Sequence, residues 1–266
     1  MSRSEHDPDG RIKLEQRGHL LLIGIDRPEK RNGFTPKMFA ELAAAYTRLE
    51  TDPGLRCGVL HAEGDHFTAG LDMPKCAPVR KEGRPYIPPA EVDPFNLREP
   101  IRTKPMVIAL KGISFTVAIE LMLASDIAIA AENCRFSQIE VKRGIMAGCG
   151  ATFRFAERAG WGNAMKLLLT GDEFGAAEAL RFNFVQEVVP VGQELERAIE
   201  IAERICKQAP LAVQATMENG RIALTYGWQA AYAKIANTQR RLYNTEDARE
   251  GVQSFVEKRE ARFVGR

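Results

Sequence analysis

Short, densely apolar segments alternate with helix-like segments along this chain, and the alternation restricts the fold more than any other feature. The clearest apolar segments are residues 19–26, 57–61, 106–110 and 126–131. Their length and composition predict short buried strands. Strands without a polar face belong to sheets that are covered by helices on both sides. The sequence therefore predicts an α/β fold around a covered sheet.

Local signals predict where the helices begin. Thr35 can cap a first helix, Pro36 suits its first position, and apolar residues then recur at helical spacing as far as Leu49. After Gly150 the chain becomes mainly helical, with a last strand at 184–189. Helices are predicted in this part over residues 152–159, 162–169, 176–182, 194–209, 211–226, 228–243 and 245–262. An earlier helix is predicted over residues 116–125, which are apolar nearly all round except at Glu120.

The segment between Pro74 and Pro105 is rich in proline and charge. It predicts a long mobile loop with one short helix near its end. A loop of this length in a compact domain is often a lid or a substrate-facing segment. The alternative interpretation is a disordered insertion.

Charge and composition exclude several function classes. The 266 residues include 37 Lys and Arg against 35 Asp and Glu, a formal net charge of +2, and the basic residues are dispersed. Nucleic acids and membrane surfaces are therefore not expected as partners. No apolar run is long enough to span a bilayer, and residues 1–10 lack a hydrophobic signal core. We expect a cytoplasmic protein.

The cysteines and histidines do not predict a metal or disulfide site. Five cysteines are an odd number, and none are spaced as CxxC, so we expect reduced thiols that mostly fill the core. His61 and His66 lie near a glycine-containing loop, but no second ligand follows at metal spacing. We interpret His66 as an ordinary loop residue and expect no metal.

Two glutamates, Glu120 and Glu140, stand in otherwise apolar surroundings downstream of that loop, residues 67–72. A buried carboxylate costs several kcal/mol to desolvate unless it is paired or hydrogen-bonded. Two carboxylates beside a loop of backbone donors are the parts of general acid/base chemistry on a carbonyl compound. Alternatively, Glu120 points to water and Glu140 pairs with Lys142 or Arg143 on the surface.

Four segments together resemble the crotonase, or enoyl-CoA hydratase/isomerase, superfamily, in order from about His19 to the C-terminus. They are FTAGLD at 67–72, the Lys-Gly turn at 111–112 with Glu120 following, SDIAIAAENCRFSQIEVKRGI at 125–145, and LLLTGDEFGAAEAL at 167–180. The resemblance implies a crotonase-like spiral of strand-strand-helix repeats with a C-terminal helical region. It also implies a core with the acyl-CoA site over residues 11–195, a trimerisation region over 196–266, and assembly as a homotrimer or dimer of trimers.

The resemblance implies that the substrate is an acyl-CoA thioester whose enolate is stabilised by two backbone N–H groups, those of Leu71 and Val117. It implies that Glu120 and Glu140 are the acid/base pair. It also implies that no cofactor is needed, since coenzyme A is only the carrier group of the substrate. The implied substrate-binding residues are Arg31, Thr68, Ala69, Gly70, Asp72, Met73, Gly148, Phe255 and Lys258.

Some of these residues have alternative interpretations. Asp72 can cap or orient the loop rather than react, which is the reading we prefer. Phe255 and Lys258 would reach coenzyme A bound by a neighbouring subunit, or they are a core phenylalanine and a solvated lysine.

The chain departs from the family pattern where glycines normally let the substrate approach. Thr116, Val117 and Ala118 replace a glycine run, and Ala147 and Ala151 replace a later proline and glycine. Valine at the second donor keeps its N–H but places methyl groups in the thioester slot. The retained glutamates favour a 2-enoyl-CoA hydratase. The alternatives are an isomerase that uses mainly Glu140 and a non-catalytic acyl-CoA-binding protein; a dehalogenase or thioester hydrolase lacks a suitable Asp or Ser–His pair.

Overall fold

A computed structural model describes residues 7–266 of the protein. Six strands form its main sheet. Their order is β1-β2-β3-β4-β6-β9. The first pair is antiparallel and all the other neighbours are parallel. The six strands are β1 (Arg11–Arg17), β2 (Leu20–Asp26), β3 (Cys57–Ala62), β4 (Met106–Leu110), β6 (Ile127–Ala131) and β9 (Glu187–Val189).

A second sheet of three short strands lies beside the first. It contains β5 (Ile113–Phe115), β7 (Arg135–Ser137) and β8 (Phe174–Gly175), in the order β5-β7-β8. Thr68 forms an isolated parallel bridge with Ser114 of β5. This bridge attaches the loop at 67–72 to the edge of the second sheet.

The α-helices of the described chain agree in number with the predicted segments, and only the short helix predicted near the end of the 74–105 segment lies elsewhere. The α-helices are α1 (Pro36–Thr51), α2 (Met73–Lys81), α3 (Val117–Ala124), α4 (Ala151–Ala159), α5 (Trp161–Thr170), α6 (Ala176–Arg181), α7 (Glu194–Cys206), α8 (Pro210–Tyr226), α9 (Trp228–Tyr243) and α10 (Glu246–Glu257). Two short 3₁₀ helices span Pro28–Lys30 and Glu140–Arg143.

Helices cover both faces of the main sheet, as the sequence predicts. Alternate side chains of β2 enter opposite clusters: Leu21 and Ile23 pack with α1, whereas Leu20 and Leu22 pack with α7. The burial of both faces explains why these strands are apolar throughout. The predicted division after residue 195 falls within α7, and this division stays a prediction.

The start of α1 confirms the predicted cap. The Thr35 hydroxyl oxygen accepts a hydrogen bond from the Met38 N–H at 3.2 Å, and Pro36 occupies the first turn, where a missing N–H is tolerated.

The prediction of a short helix near the end of the 74–105 segment is wrong, because the helix, α2, lies at its beginning. The Asp72 carboxylate caps α2 by accepting from the Lys75 N–H at 3.4 Å, and Pro74 lies in the first turn. The remainder, residues 82–105, has no helix or strand. It is anchored by buried Val92 and Phe95, which favours the substrate-facing interpretation over the disordered insertion.

No helix in residues 7–266 is long and apolar enough to cross a membrane. The five cysteines are unpaired; four are buried, as expected for core residues, and Cys149 is half-buried. No group of three or more potential ligands that could hold a metal ion occurs in the described part of the chain. His66 is a loop residue whose ring accepts a hydrogen bond from the Ile113 N–H at 3.3 Å.

Candidate active site

The loop at 67–72 presents one free backbone donor, the N–H of Leu71. The Thr68 hydroxyl donates to the carbonyl of Asn32 at 2.6 Å and accepts from the Gly70 N–H at 3.1 Å, which fixes the turn. Phe34 donates to the Gly70 carbonyl at 2.9 Å and accepts from the Asp72 N–H at 2.8 Å. Leu71 lies between these two bonds, and no group in residues 7–266 accepts from its N–H.

The start of α3 presents a second free donor, the N–H of Val117. This residue occupies the first helical position, where an N–H has no partner within the helix, and no other described group accepts from it. Thr116, just before it, has φ +51° and ψ −103°, a conformation that favours glycine. The strained residue, Thr116, stands where the resemblance to the crotonase superfamily implies a glycine.

The two donor segments are in contact. Gly70 has φ +104°, and any side chain built there would collide with the Thr116 hydroxyl, so this position requires glycine. The Thr116 hydroxyl is buried and has no hydrogen-bond partner within residues 7–266. The free N–H groups of Leu71 and Val117 therefore belong to adjoining walls of one site.

Glu120 lies in α3 with only 3% of its surface exposed, so the alternative in which it points to water is wrong. One carboxylate oxygen accepts from the Cys149 N–H at 2.6 Å and from the Ala151 N–H at 3.4 Å. Burial raises the pKa of Glu120 to about 7, the two N–H groups oppose that rise, and the charge of Glu140 adds to it. Glu120 therefore titrates close to neutral pH.

Glu140 begins the second 3₁₀ helix and is half-buried. Its Oε1 accepts from the Gln138 amide at 2.9 Å, whereas its Oε2 is buried without a partner in the described chain. Burial raises the pKa of this carboxyl, and hydrogen bonds from the backbone and from Gln138 oppose the rise. Lys142 and Arg143 do not pair with it, so the surface ion-pair alternative is wrong.

Both glutamates line one cavity of about 740 Å³, together with Leu71 and Val117. Met73 and Gly148, two of the proposed substrate-binding residues, lie in the same wall. The segment from α2 to residue 98 supplies further lining residues that sequence reasoning missed. They are Cys76, Ala77, Arg80, Pro85, Tyr86, Ile87, Asp93, Phe95, Leu97 and Arg98.

The remaining candidates in the loop region shape the site without lining the cavity. The Arg31 side chain is exposed, and its carbonyl accepts from the Ala69 N–H at 2.9 Å. Thr68 and Gly70 hold the turn as described above. Asp72 forms an ion pair with Arg27, 2.8 Å between Oδ2 and Nη1, and caps α2. The contacts of Asp72 are those of the capping and orienting role that we preferred.

Phe255 and Lys258 lie apart from the cavity of their own protomer. Phe255 is in α10 with 84% of its surface exposed, so the interpretation as a core phenylalanine is wrong. Lys258 follows the helix in a left-handed conformation, φ +54°. Their proposed contact with coenzyme A in a neighbouring subunit stays a prediction.

The chain matches known proteins over almost its whole length. The model of the family Enoyl-CoA hydratase/isomerase matches residues 15–266. Enoyl-CoA hydratase EchA19 of Mycobacterium tuberculosis is 32% identical, covering 100% of both chains. The (E)-benzylidenesuccinyl-CoA hydratase of Thauera aromatica is 31% identical, covering 96% of this chain and 99% of the relative. A solved structure of a probable enoyl-CoA hydratase/isomerase from Mycobacterium abscessus superposes with a TM-score of 0.93 at 45% identity, covering 96% of this chain and 98% of that chain. The protein therefore belongs to the enoyl-CoA hydratase/isomerase family, within the crotonase superfamily, and has the crotonase fold.

Proposed function

We propose that the protein is an enoyl-CoA hydratase, which adds water across the double bond of a 2-enoyl-CoA. The observation that carries this proposal is that Glu120 and Glu140 line one cavity together with Leu71 and Val117, whose backbone N–H groups have no acceptor within residues 7–266. The names of the relatives, in which hydratases recur, support the same reaction class.

The two N–H groups would bind the thioester oxygen of the substrate. Attack at the β-carbon moves electrons towards this oxygen, and donors fixed in a dry site stabilise the negative charge as it develops. Removing one such donor from comparable sites reduces the rate by about 10²- to 10³-fold. The positive end of α3, which begins at Val117, adds to this stabilisation.

The carboxylates would supply the proton transfers. An ionised carboxylate accepts a proton from water while the water oxygen bonds to the β-carbon. The electron pair of the double bond shifts into the thioester enolate, and the other glutamate, in its protonated form, delivers a proton to the α-carbon. The raised pKa values of Glu120 and Glu140 suit this division, because burial makes each group a better proton acceptor when ionised and lets it hold a proton at higher pH than an ordinary carboxyl.

Two alternatives have specific support. The unpartnered Oε2 of Glu140 favours an isomerase, in which this residue alone would move a proton between carbons of the acyl chain. The side chain of Val117, which lines the cavity where a glycine is expected, favours a non-catalytic acyl-CoA-binding protein.

We also infer assembly as a homotrimer or a dimer of trimers, with coenzyme A bound partly by Phe255 and Lys258 of a neighbouring subunit. Large apolar side chains are strongly exposed on the C-terminal helices, which is typical of surfaces that pack against other subunits. Those with at least two-thirds of their surface exposed include Leu224, Tyr226, Trp228, Tyr232, Tyr243 and Phe255.

Product analysis by liquid chromatography, which separates the two enoyl isomers of equal mass, followed by mass spectrometry tests the proposal. The protein is incubated with hex-2-enoyl-CoA and, separately, with hex-3-enoyl-CoA. A product heavier by one water from the 2-enoyl ester supports the hydratase. Conversion of the 3-enoyl ester to the 2-enoyl ester without hydration supports the isomerase. Neither product, together with measurable binding by calorimetry, supports the non-catalytic alternative and overturns the proposal.

A further inference from the structure

Two arginines in the cavity wall, Arg80 and Arg98, form no ion pair with a carboxylate within residues 7–266. Other arginines near the core are paired, such as Arg27 with Asp72 and Arg102 with Asp126, each at 2.7–2.8 Å. Neither side chain is buried, so each stays hydrated, but a guanidinium in a cavity wall without a counter-ion can still bind an anionic ligand.

Both terminal nitrogens of the Arg98 guanidinium donate hydrogen bonds to main-chain carbonyls. Its Nη1 donates to the carbonyls of Pro89 at 3.0 Å and Glu99 at 3.1 Å, and its Nη2 donates to the carbonyl of Pro88 at 2.9 Å. Arg98 therefore closes the loop that forms this wall of the cavity.

Arg80 is different, because its side chain makes no hydrogen bond to a carbonyl or carboxylate in the described chain. It lies in the last turn of α2 with its guanidinium carbon 4.8 Å from the centre of the Tyr86 ring. Stacking on an aromatic ring orients the plane of the guanidinium and leaves its N–H groups available at the edge. Arg80 is exposed to solvent, and besides the ring it contacts the Tyr86 hydroxyl. It is thus an oriented donor group in the cavity wall that has no carboxylate partner in the described chain.

The surroundings of Arg80 connect it to the reacting end of the cavity. Burial and the Glu120 charge raise the pKa of the Cys149 thiol, and the Arg80 charge opposes that rise. The backbone N–H of Cys149 in turn holds the Glu120 carboxylate. The same cavity is also lined by Ile87 and Phe95, which suit the methylene groups of an acyl chain.

We propose that Arg80 binds a second carboxylate at the far end of the acyl chain, so that the substrates are coenzyme A monothioesters of unsaturated dicarboxylic acids. Arginine recognises a carboxylate through two parallel hydrogen bonds, and the Tyr86 ring holds it in position for this contact. This substrate class rests on the proposed hydratase function. A role of Arg80 in binding a phosphate of coenzyme A is the competing assignment, and it predicts no dependence on the acyl chain.

A matched pair of six-carbon substrates separates these assignments. The first is hex-2-enoyl-CoA, which ends in a methyl group, and the second is 2,3-dehydroadipyl-CoA, which ends in a carboxylate. The parent should have the higher kcat/KM on the dicarboxylic ester. Arg80→Met should reduce that value by at least about 30-fold, mainly through KM, and change the value for the methyl-ended ester by less than about threefold.

Two further variants make the result specific. Arg80→Lys should restore part of the preference, because it keeps the charge without the two parallel hydrogen bonds. Arg84→Met is the matched control, since Arg84 follows on the same segment, is exposed, pairs with Glu82 and does not line the cavity. It should leave both values unchanged.

Equal losses on both esters in Arg80→Met would overturn the proposal, as would a parent without preference for the dicarboxylic ester. Binding of the two esters, measured by calorimetry, keeps the test separate from the hydratase assignment. If the parent hydrates neither ester, the proposed function fails. The Arg80 proposal then still requires tighter binding of the dicarboxylic ester by the parent and loss of that difference in Arg80→Met.

Discussion

Replacing Glu120 by glutamine should stabilise the protein in mildly alkaline solution and leave its stability nearly unchanged in mild acid. The pKa of Glu120 is raised from its ordinary value of 4.5 to about 7, chiefly by burial. The folded protein therefore holds a proton that the unfolded chain releases between these two values. Because the folded state binds the extra proton in this window, stability falls as the pH rises through it.

The two pKa values give the size of the effect. A difference between about 7 and 4.5 corresponds to about 3 kcal/mol of folding free energy, which the parent has lost by pH 8. Glutamine removes this titration and can still accept from the Cys149 and Ala151 N–H groups through its amide oxygen. Glu120→Gln should thus exceed the parent in stability at pH 8 by up to about 3 kcal/mol.

Urea unfolding of both proteins at pH 5 and pH 8 measures the difference, at one fixed protein concentration because assembly also contributes to stability. Glu260→Gln, at an exposed glutamate, is the control and should change stability by the same small amount at both pH values. A difference between Glu120→Gln and the parent that does not depend on pH would refute the reasoning, because Glu120 would then titrate alike in the folded and unfolded chain.

Two further predictions concern the thioester slot and the assembly. Val117→Gly keeps the backbone donor and removes buried methyl groups, so activity on a short 2-enoyl-CoA should rise or the acyl range should widen. Glycine in the first helical turn should also lower stability by about 1 kcal/mol, with a further loss from the missing valine methyls, measurable by urea unfolding. A variant that folds, binds coenzyme A and stays inert on every enoyl-CoA would favour the non-catalytic alternative. Sedimentation should give a mass that is a multiple of three protomers, and deletion from Thr245 onward should weaken both assembly and coenzyme A binding. A stable monomer with unchanged affinity would remove the role given to Phe255 and Lys258.

Local sequence signals predicted most of the elements because the deciding contacts are local. Thr35 and Pro36 define the start of α1 through a side-chain cap and a fixed backbone angle, and the structure contains both features. The burial of Glu120 was also predictable, because its neighbours in α3 are apolar on every side. Such features depend on residues only a few positions apart.

The parts that sequence reasoning missed depend on contacts between distant segments. The proline-rich composition after Asp72 concealed α2, although Asp72 and Pro74 are a cap and a first-turn proline. The lining role of Tyr86 and Phe95 follows from the way this segment folds back on α1, where both rings contact Phe39. Neither composition nor periodicity can predict contacts between segments so far apart in the sequence.

The hydration rates of Glu120→Gln and Glu140→Gln test the central claim most directly. Glutamine keeps the shape of each side chain and removes its acid/base chemistry. Each variant should bind acyl-CoA nearly as well as the parent and lose hydration by at least about 10²-fold, the usual contribution of a positioned acid or base. Full hydration by both variants would contradict the account, and full turnover by Glu120→Gln alone, with none by Glu140→Gln, would establish the isomerase in its place.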